Sequence, residues 1–279
     1  MTNPGLPRTT VVIPVWDRYA GPRLGEAVAS IVAQGLHARI VLVDNASPAP
    51  LPQLGGVEVI RSAERLSLGA CRNLGLTAVE SENVMFWDAD DLMFPGTLGF
   101  LEDALASDPR LVAFGAAIVE EPSGVRHRWP RRWITRVITH PRRFALLDCV
   151  WSVFPTTGAT LMRTDVVRSC GGFSDADSGD DWCLGAALVF RGRVGWSERP
   201  GRRYLQHEGS IWDVHGSARH QLKHAAAVRR RLAADAAVPA WLRSALPVLA
   251  LAQWSAVAAH AGVAQLRRFT RRRHAGAAA

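Results

Sequence analysis

The chain has 279 residues, 48% hydrophobic and 21% charged, which suits a globular protein able to bury one large core or two modest ones. Its four cysteines (Cys71, Cys149, Cys170, Cys183) stand far apart without C-x-x-C spacing. That excludes a zinc cluster or a disulfide framework and makes a reducing cytoplasm the expected setting. The net charge of +8 is lopsided: residues 1–198 carry 19 basic and 22 acidic side chains, residues 199–279 carry 14 and 3.

Residues 1–8 run into a strand-like segment with no apolar stretch before it, so no secretory leader is expected. The β-branched run Thr9–Ile13 ends at Pro14. Leu24, Val28, Ile31 and Val32 have helical spacing, with Gly35 as a stop. Ile40–Val43 and Val57–Ile60 are the next strands, Gly69–Val79 a helix and Val84–Trp87 a fourth strand. A helix opens at Pro95 and runs through Leu98, Leu101 and Leu105, and Leu111–Val119 returns to strand character. This alternation predicts an α/β fold with a mostly parallel central sheet and helices on both faces.

From Pro122 to Leu147 the periodicity breaks down. Arginines 126, 128, 131, 132, 136, 142 and 143 are interleaved there with Trp129 and Trp133, a pattern expected of a functional or mobile segment. Regularity resumes at Ala159–Met162, followed by helices over Asp180–Phe190, Ala218–Ala234 and Ala240–Arg272. The last contains an apolar run, Pro247–Leu266, broken by Gln253, Ser255, His260 and Gln265. That is too weakly apolar for a membrane span, so a packed or interfacial helix is expected. Cys71 and Cys183 fall within helical patterns and are expected as small buried hydrophobes.

The chemistry concentrates where strands end. Phe86-Trp87-Asp88-Ala89-Asp90-Asp91 follows a buried strand, at the carboxyl end where open α/β sheets bind ligands. Asp88 and Asp90 alternate by two and can share a hard cation, Mg²⁺ or Mn²⁺; Asp90 and Asp91 could instead cap the next helix. Asp44 closes the second strand in Val43-Asp44-Asn45-Ala46-Ser47, either as an acceptor for a nucleobase or ribose or as an Asx-turn into Pro48. Leu68-Gly69-Ala70-Cys71-Arg72-Asn73 starts a helix whose free N–H groups, with Arg72, could hold an anion. Cys170-Gly171-Gly172-Phe173 precedes Gly179-Asp180-Asp181-Trp182, whose paired acids either favour the helix dipole or supply a general base. His207 stands alone in Gln206-His207-Glu208, a structural residue or a ligand.

In this order the segments resemble the family 2 glycosyltransferases of the GT-A fold, from Val11 to about Ser210. Val12-Ile13-Pro14 resembles the opening strand and Val43–Ser47 the acidic loop at the donor base. Gly69, Arg72 and Asn73 match the glycine-to-Arg-Asn helix, and Asp88-Ala89-Asp90-Asp91 the D-x-D metal motif. Gly171-Gly172-Phe173 with Asp180-Asp181-Trp182 resembles the acceptor side. The resemblance implies a donor site at Pro14, Asp44, Arg72, Asp88 and Ala89. It implies a Mn²⁺ or Mg²⁺ ion on Asp90, completed by His207, and Asp181 as the base in an inverting, metal-dependent transfer. Asp180, Trp182 and Phe173 are implied on the acceptor side. The implied substrates are a UDP, dTDP or GDP sugar and a hydroxyl acceptor. Departures are Val15-Trp16-Asp17 after the first Pro, and Asp180-Asp181 in place of the usual Glu-Asp.

A catalytic unit over 1–212 is expected, with a donor half at about 1–120 and an acceptor half at about 121–212, plus a basic helical extension over 213–279. The alternatives are a glycoside hydrolase, a nucleotidyltransferase, or an inactive relative binding membranes or nucleic acid. A hydrolase needs two carboxylates but no nucleotide loop. Nucleotidyltransferases carry a Gly-rich basic stretch where Val15-Trp16-Asp17-Arg18 stands. No nucleic-acid module is recognised, so no nucleic acid is expected. The Arg-rich end, Arg267 to Arg273, with Trp241 and Trp254, suits either peripheral contact with the cytoplasmic membrane face or a solvated helix end on a packed helix.

Overall fold

The computed structural model describes residues 7–35, 38–120, 127–129, 141–205 and 218–255. Strands β1 (Thr9–Val15), β2 (Ala38–Asp44), β3 (Val57–Arg61) and β4 (Asn83–Phe86) alternate with helices α1 (Pro22–Val32) and α2 (Leu68–Thr77). A two-residue strand β5 (Leu92–Met93) precedes α3 (Thr97–Ser107) and the long β6 (Leu111–Glu120). Then come β7 (His127–Trp129), α4 (Pro141–Asp148), β8 (Thr160–Arg163), α5 (Thr164–Ser169), α6 (Asp180–Leu188), β9 (Arg193–Tyr204) and α7 (Ala218–Ala234). A further helix, α8, covers residues 240–255.

The sheet order is β3-β2-β1-β4-β8-β6-β9-β5, with β7 paired to β6. From the pairings, β3, β2, β1, β4, β6 and β9 all run one way, and β8 and β5 run against them. The central strands are apolar runs because both faces are covered. Val11, Ile13, Val15, Leu42, Met85 and Trp87 pack on one face with α1 and α3, through Leu24, Ile31, Leu98 and Leu101. Their neighbours Val12, Val41, Val43, Val84 and Phe86 pack on the other with Cys71, Leu76, Phe173 and Leu184. This period of two puts every other residue under a different helix layer. Pro14 stands on β1 just past Val12, where the ladder to β4 ends. A residue without an N–H is tolerated there and leaves the crevice between the two strands open.

The structure differs from the sequence-based expectation in several elements. The irregular stretch 122–147 contains β7 and the start of α4. Arg126, Arg131, Arg132, Arg136 and Trp133 lie outside the described residues. Strand β9 was not expected because its sequence is polar and holds Pro200; its pairing to β6 is irregular around that proline. Asp90 and Asp91 do not cap α3, which begins at Thr97 behind Gly96. All four cysteines are free and buried.

Helices α6, α7 and α8 share a core of Trp182, Cys183, Ala186, Val228, Leu232, Leu242 and Leu246. One polar tie fixes α8: Gln253 accepts from Arg229 at 2.6 Å and donates to the Val150 carbonyl at 2.8 Å. Both side chains are buried. Gln253→Ala strips a buried guanidinium of an acceptor and should cost about 1.5–3 kcal/mol in urea unfolding, the range for hydrogen bonds to charged groups; an unchanged midpoint would show that the tie is idle.

Candidate active site

The acids predicted from sequence converge at the carboxyl ends of β1, β2 and β4. Asp88 begins the turn after β4, and the Trp87 indole holds that turn by donating to the Asp91 carbonyl at 3.0 Å. Asp88 accepts from Arg72 at 3.0 Å on one oxygen and from Arg202 at 2.6 Å on the other. Arg72 also donates to Asp180 at 2.6 Å, and Arg202 is ion-paired with Asp91. The result is an alternating chain, Asp180–Arg72–Asp88–Arg202–Asp91, that crosses from α6 to β9. Ala89 is buried within the turn.

Arg72 differs from the expectation of an open anion site: it is buried and faces Asp88 and Asp180. Asp88 accepts one guanidinium on each oxygen, and each oxygen keeps a second lone pair. A buried charge must be paired, and Arg72 pairs with these carboxylates.

Burial and partners set the ionisation. Burial pushes Asp88 up, but Arg202 and Arg72 together outweigh it and hold the carboxyl below its usual range. Asp91, fully buried, is pushed up to about 7 by desolvation despite Arg202. Desolvation raises Asp180 against the pull of Arg72. Asp181 rises to about 6 through burial and then the neighbouring Asp180. Arg72 and Arg202 stay charged, since their carboxylates more than offset desolvation.

The acceptor-side loop is locked onto α2. Asn73 donates to the Phe173 carbonyl and accepts from the Phe173 N–H, each at 2.9 Å. Gly172 allows this: its φ is +66°, and a Cβ there would lie 2.3 Å from the Asn73 oxygen. Phe173 packs edge-on against Phe86 at 4.6 Å, with Arg72 over its ring. Trp182 donates to the Asp148 carbonyl at 2.6 Å. Both rings are therefore packed behind the acids and neither presents an open surface. Asp181 sits at the first turn of α6, its carbonyl accepting from Thr156 at 3.0 Å.

Asp44 lies at the end of β2 as expected, buried, with one oxygen accepting from the Ser47 N–H at 2.9 Å and the other paired with Arg61 at 2.5 Å. The carboxylate closes its loop through the N–H three residues on, one beyond an Asx-turn, and Arg61 joins it. Asp90 is half-buried on the same turn as Asp88, while His207 lies outside the described residues. Among the described residues no three His, Cys, Asp or Glu side chains form a metal-ligand set.

Arg202 escaped the sequence reading. A signal existed: Asp88, Asp91 and Asp180 are too many acids for Arg72 alone to neutralise in a buried site. Gly158 makes room for it, since a Cβ there would meet the Arg202 guanidinium at 2.4 Å. Asp148 was also missed; it is buried, accepts from the Val153 N–H at 2.9 Å, and is raised well above its usual range by desolvation.

An α/β sheet with an acidic crevice at its strand ends, a D-x-D turn and a paired-acid helix defines a sugar-transferring enzyme of the GT-A type. The glycosyl transferase family 2 model matches residues 10–171, and the chain belongs to that family; it is a glycosyltransferase. Staphylococcus aureus TarS 1–349 in complex with UDP-GlcNAc is similar with a TM-score of 0.68 and 14% identity, over 88% of this chain and 72% of that one. TarS 1–349 in complex with UDP gives a TM-score of 0.58 and 17% identity, over 81% and 70%. A longer TarS structure gives 0.55 and 16%, over 81% of this chain but 42% of its own. No curated protein matches the sequence significantly.

Arg202→Met should cost about 3–5 kcal/mol in urea unfolding, because it leaves Asp91 buried without its cation. Adding Asp91→Leu should recover part of that loss. A double variant less stable than the single one would show that the ion pair is not what Arg202 contributes.

Proposed function

We propose that the enzyme moves a sugar from a nucleotide diphosphate sugar to an acceptor hydroxyl with inversion at the anomeric carbon. One observation carries this: Arg72 joins the turn after β4 to the acid pair at the start of α6, so a donor on the first and an acceptor beside the second would meet in one crevice. Asp181 takes the acceptor proton as the new C–O bond forms at the anomeric carbon. The bond to the diphosphate breaks and its electron pair leaves with the phosphate oxygen. In-line displacement by a single activated hydroxyl inverts the centre. A carboxyl raised to about 6 suits this task, being ionised at neutral pH yet more basic than an ordinary aspartate.

The donor set of the turn fits a hard divalent cation held by one carboxylate and the substrate's phosphates, which is how Mg²⁺ is usually bound. Asp90 would hold it, with His207 as the further ligand the family resemblance implies. When bound, the cation neutralises the charge that develops on the departing diphosphate. Pro14 and Ala89 border the donor side, and Asp44 would order the loop at the base together with Arg61. TarS, which shares the fold, was crystallised with UDP-GlcNAc and UDP, so UDP sugars are the first donors to test, ahead of dTDP and GDP sugars.

Three outcomes check this function. Calorimetry of UDP, dTDP and GDP sugars with and without Mn²⁺ should find one that binds more tightly with the metal; Asp90→Asn should abolish the metal's effect and leave the thermal melt unchanged. Asp181→Asn should keep donor binding and lose transfer by about 10²–10⁴-fold, the usual worth of general-base help. In the pH profile, activity should be full above about 6 and fall tenfold per unit below it, as the base is protonated. Asp180→Asn removes a neighbouring negative charge and should move that limb to lower pH. A limb that stays in place in both variants would assign the proton transfer elsewhere.

A further inference from the structure

Helix α8 is apolar on two sides, and among the described residues only one of them is covered. Leu242, Leu246, Leu249 and Gln253 face the core built with α6 and α7. On the opposite side Trp241 is 51% exposed, Val248 66%, Leu251 70% and Trp254 61%. Their spacings of seven, three and three residues place them along one stripe of the helix. Between Ala240 and Leu266 the sequence contains a single ionisable cation, Arg243, apart from His260, and no acid. The exposed side also carries Ser244 and Ser255, so it is an apolar stripe with small polar interruptions, as on a helix that lies against an interface.

The size and the charge around the stripe say what the cover is. Two half-exposed tryptophans with two aliphatic side chains make a patch of about 300–600 Å², the size of a typical monomer's largest apolar patch, which is often functional. That falls short of the roughly 800 Å² per partner of a stable protein interface, so a second copy is a poor fit. The flanking sequence is strongly cationic: from residue 218 onward there are 11 Lys and Arg against one acid, Asp235. Arg229 and Arg231 are engaged inside the protein, which leaves the exposed Lys223, Arg230 and Arg243 and the sequence run Arg267, Arg268, Arg271, Arg272 and Arg273. No described helix is long and apolar enough to cross a membrane. Tryptophan, with an apolar ring and one N–H, is suited to the boundary between headgroups and acyl chains.

We propose that the Trp241–Trp254 face of α8 docks flat on an anionic lipid surface, with the flanking arginines supplying the charge attraction. This surface is separate from the sugar-transfer site and stands whether or not the donor chemistry above is right. Rings and aliphatic side chains enter the headgroup boundary while Gln253 and the leucines keep the helix attached to the protein. The face therefore anchors the enzyme peripherally.

The test is flotation of the full chain with vesicles of phosphatidylcholine alone and of phosphatidylcholine mixed with phosphatidylglycerol. Binding is expected to the mixed vesicles only, weakening as salt rises. Trp241→Ser with Trp254→Ser should reduce partitioning at least about tenfold, one decade in the binding constant. The thermal melt should not change, since both side chains are exposed. Val248→Ser with Leu251→Ser on the same stripe should act in the same direction and guards against a local folding defect in the first pair. Undiminished vesicle binding in both pairs would overturn the proposal by assigning the attraction to the arginines alone. So would a dimer, seen by light scattering in the full chain, that dissociates in either pair.

Discussion

Two buried guanidinium groups hold the catalytic end of this enzyme together. Arg72 comes from α2 and Arg202 from β9, elements far apart in sequence, and they meet on opposite oxygens of Asp88. Each then reaches a second acid, Asp180 or Asp91. Removing such charges from water is expensive, and the expense is recovered only when every cation sits between acids and every acid beside a cation. The alternation therefore over-determines the geometry: moving any of the three inner members strands two others. That is why the turn after β4, the start of α6 and the end of β9 occupy fixed positions relative to one another, although loops join them.

The same chain divides the acids by role. Asp88, Asp91 and Asp180 are engaged by arginines, and they organise the crevice. Asp181 is raised by burial first and then by the neighbouring Asp180, with Arg72 opposing more weakly. Asp180 is raised too, by burial, against the pull of the Arg72 ion pair it accepts directly. The sequence shows two equal aspartates; the fold ties one to Arg72 directly and the other only at longer range.

Much of the architecture was legible because buried parallel strands read as unbroken apolar runs. Thr9–Val15 and Ala38–Asp44 are of this kind, and Asp44 at the end of the second, with Asp88 just past β4, pointed to the carboxyl end of the sheet. Strand β9 was illegible for the opposite reason: Arg193–Tyr204 is polar and interrupted by Pro200, and its pairing to β6 is a long-range fact that no local periodicity encodes. Arg202 was hidden with it. The pairing partners of Arg72 were also beyond reach, since local sequence cannot distinguish a cation waiting for phosphate from one already committed to carboxylates. The Gly171-Gly172-Phe173 pattern was noticed but its cause was not: the glycine admits the Asn73 amide that fixes the loop.

Helix α6 touches both the acidic crevice and the helical layer of α7 and α8. Its first turn carries Asp180 and Asp181 toward the crevice, while Trp182, Cys183 and Ala186 pack against α7 and α8. Nearly every side chain along it is buried, as expected of a helix wedged between a sheet and a further helical layer. Arg231 of α7 donates to the Cys170 and Gly172 carbonyls, tying the basic extension to the loop that leads into the acid pair. His224 of α7 shares a hydrogen bond with Ser178 at 3.0 Å, just before the helix begins. Helix α7 is thus bonded to the segment that leads into Asp180 and Asp181.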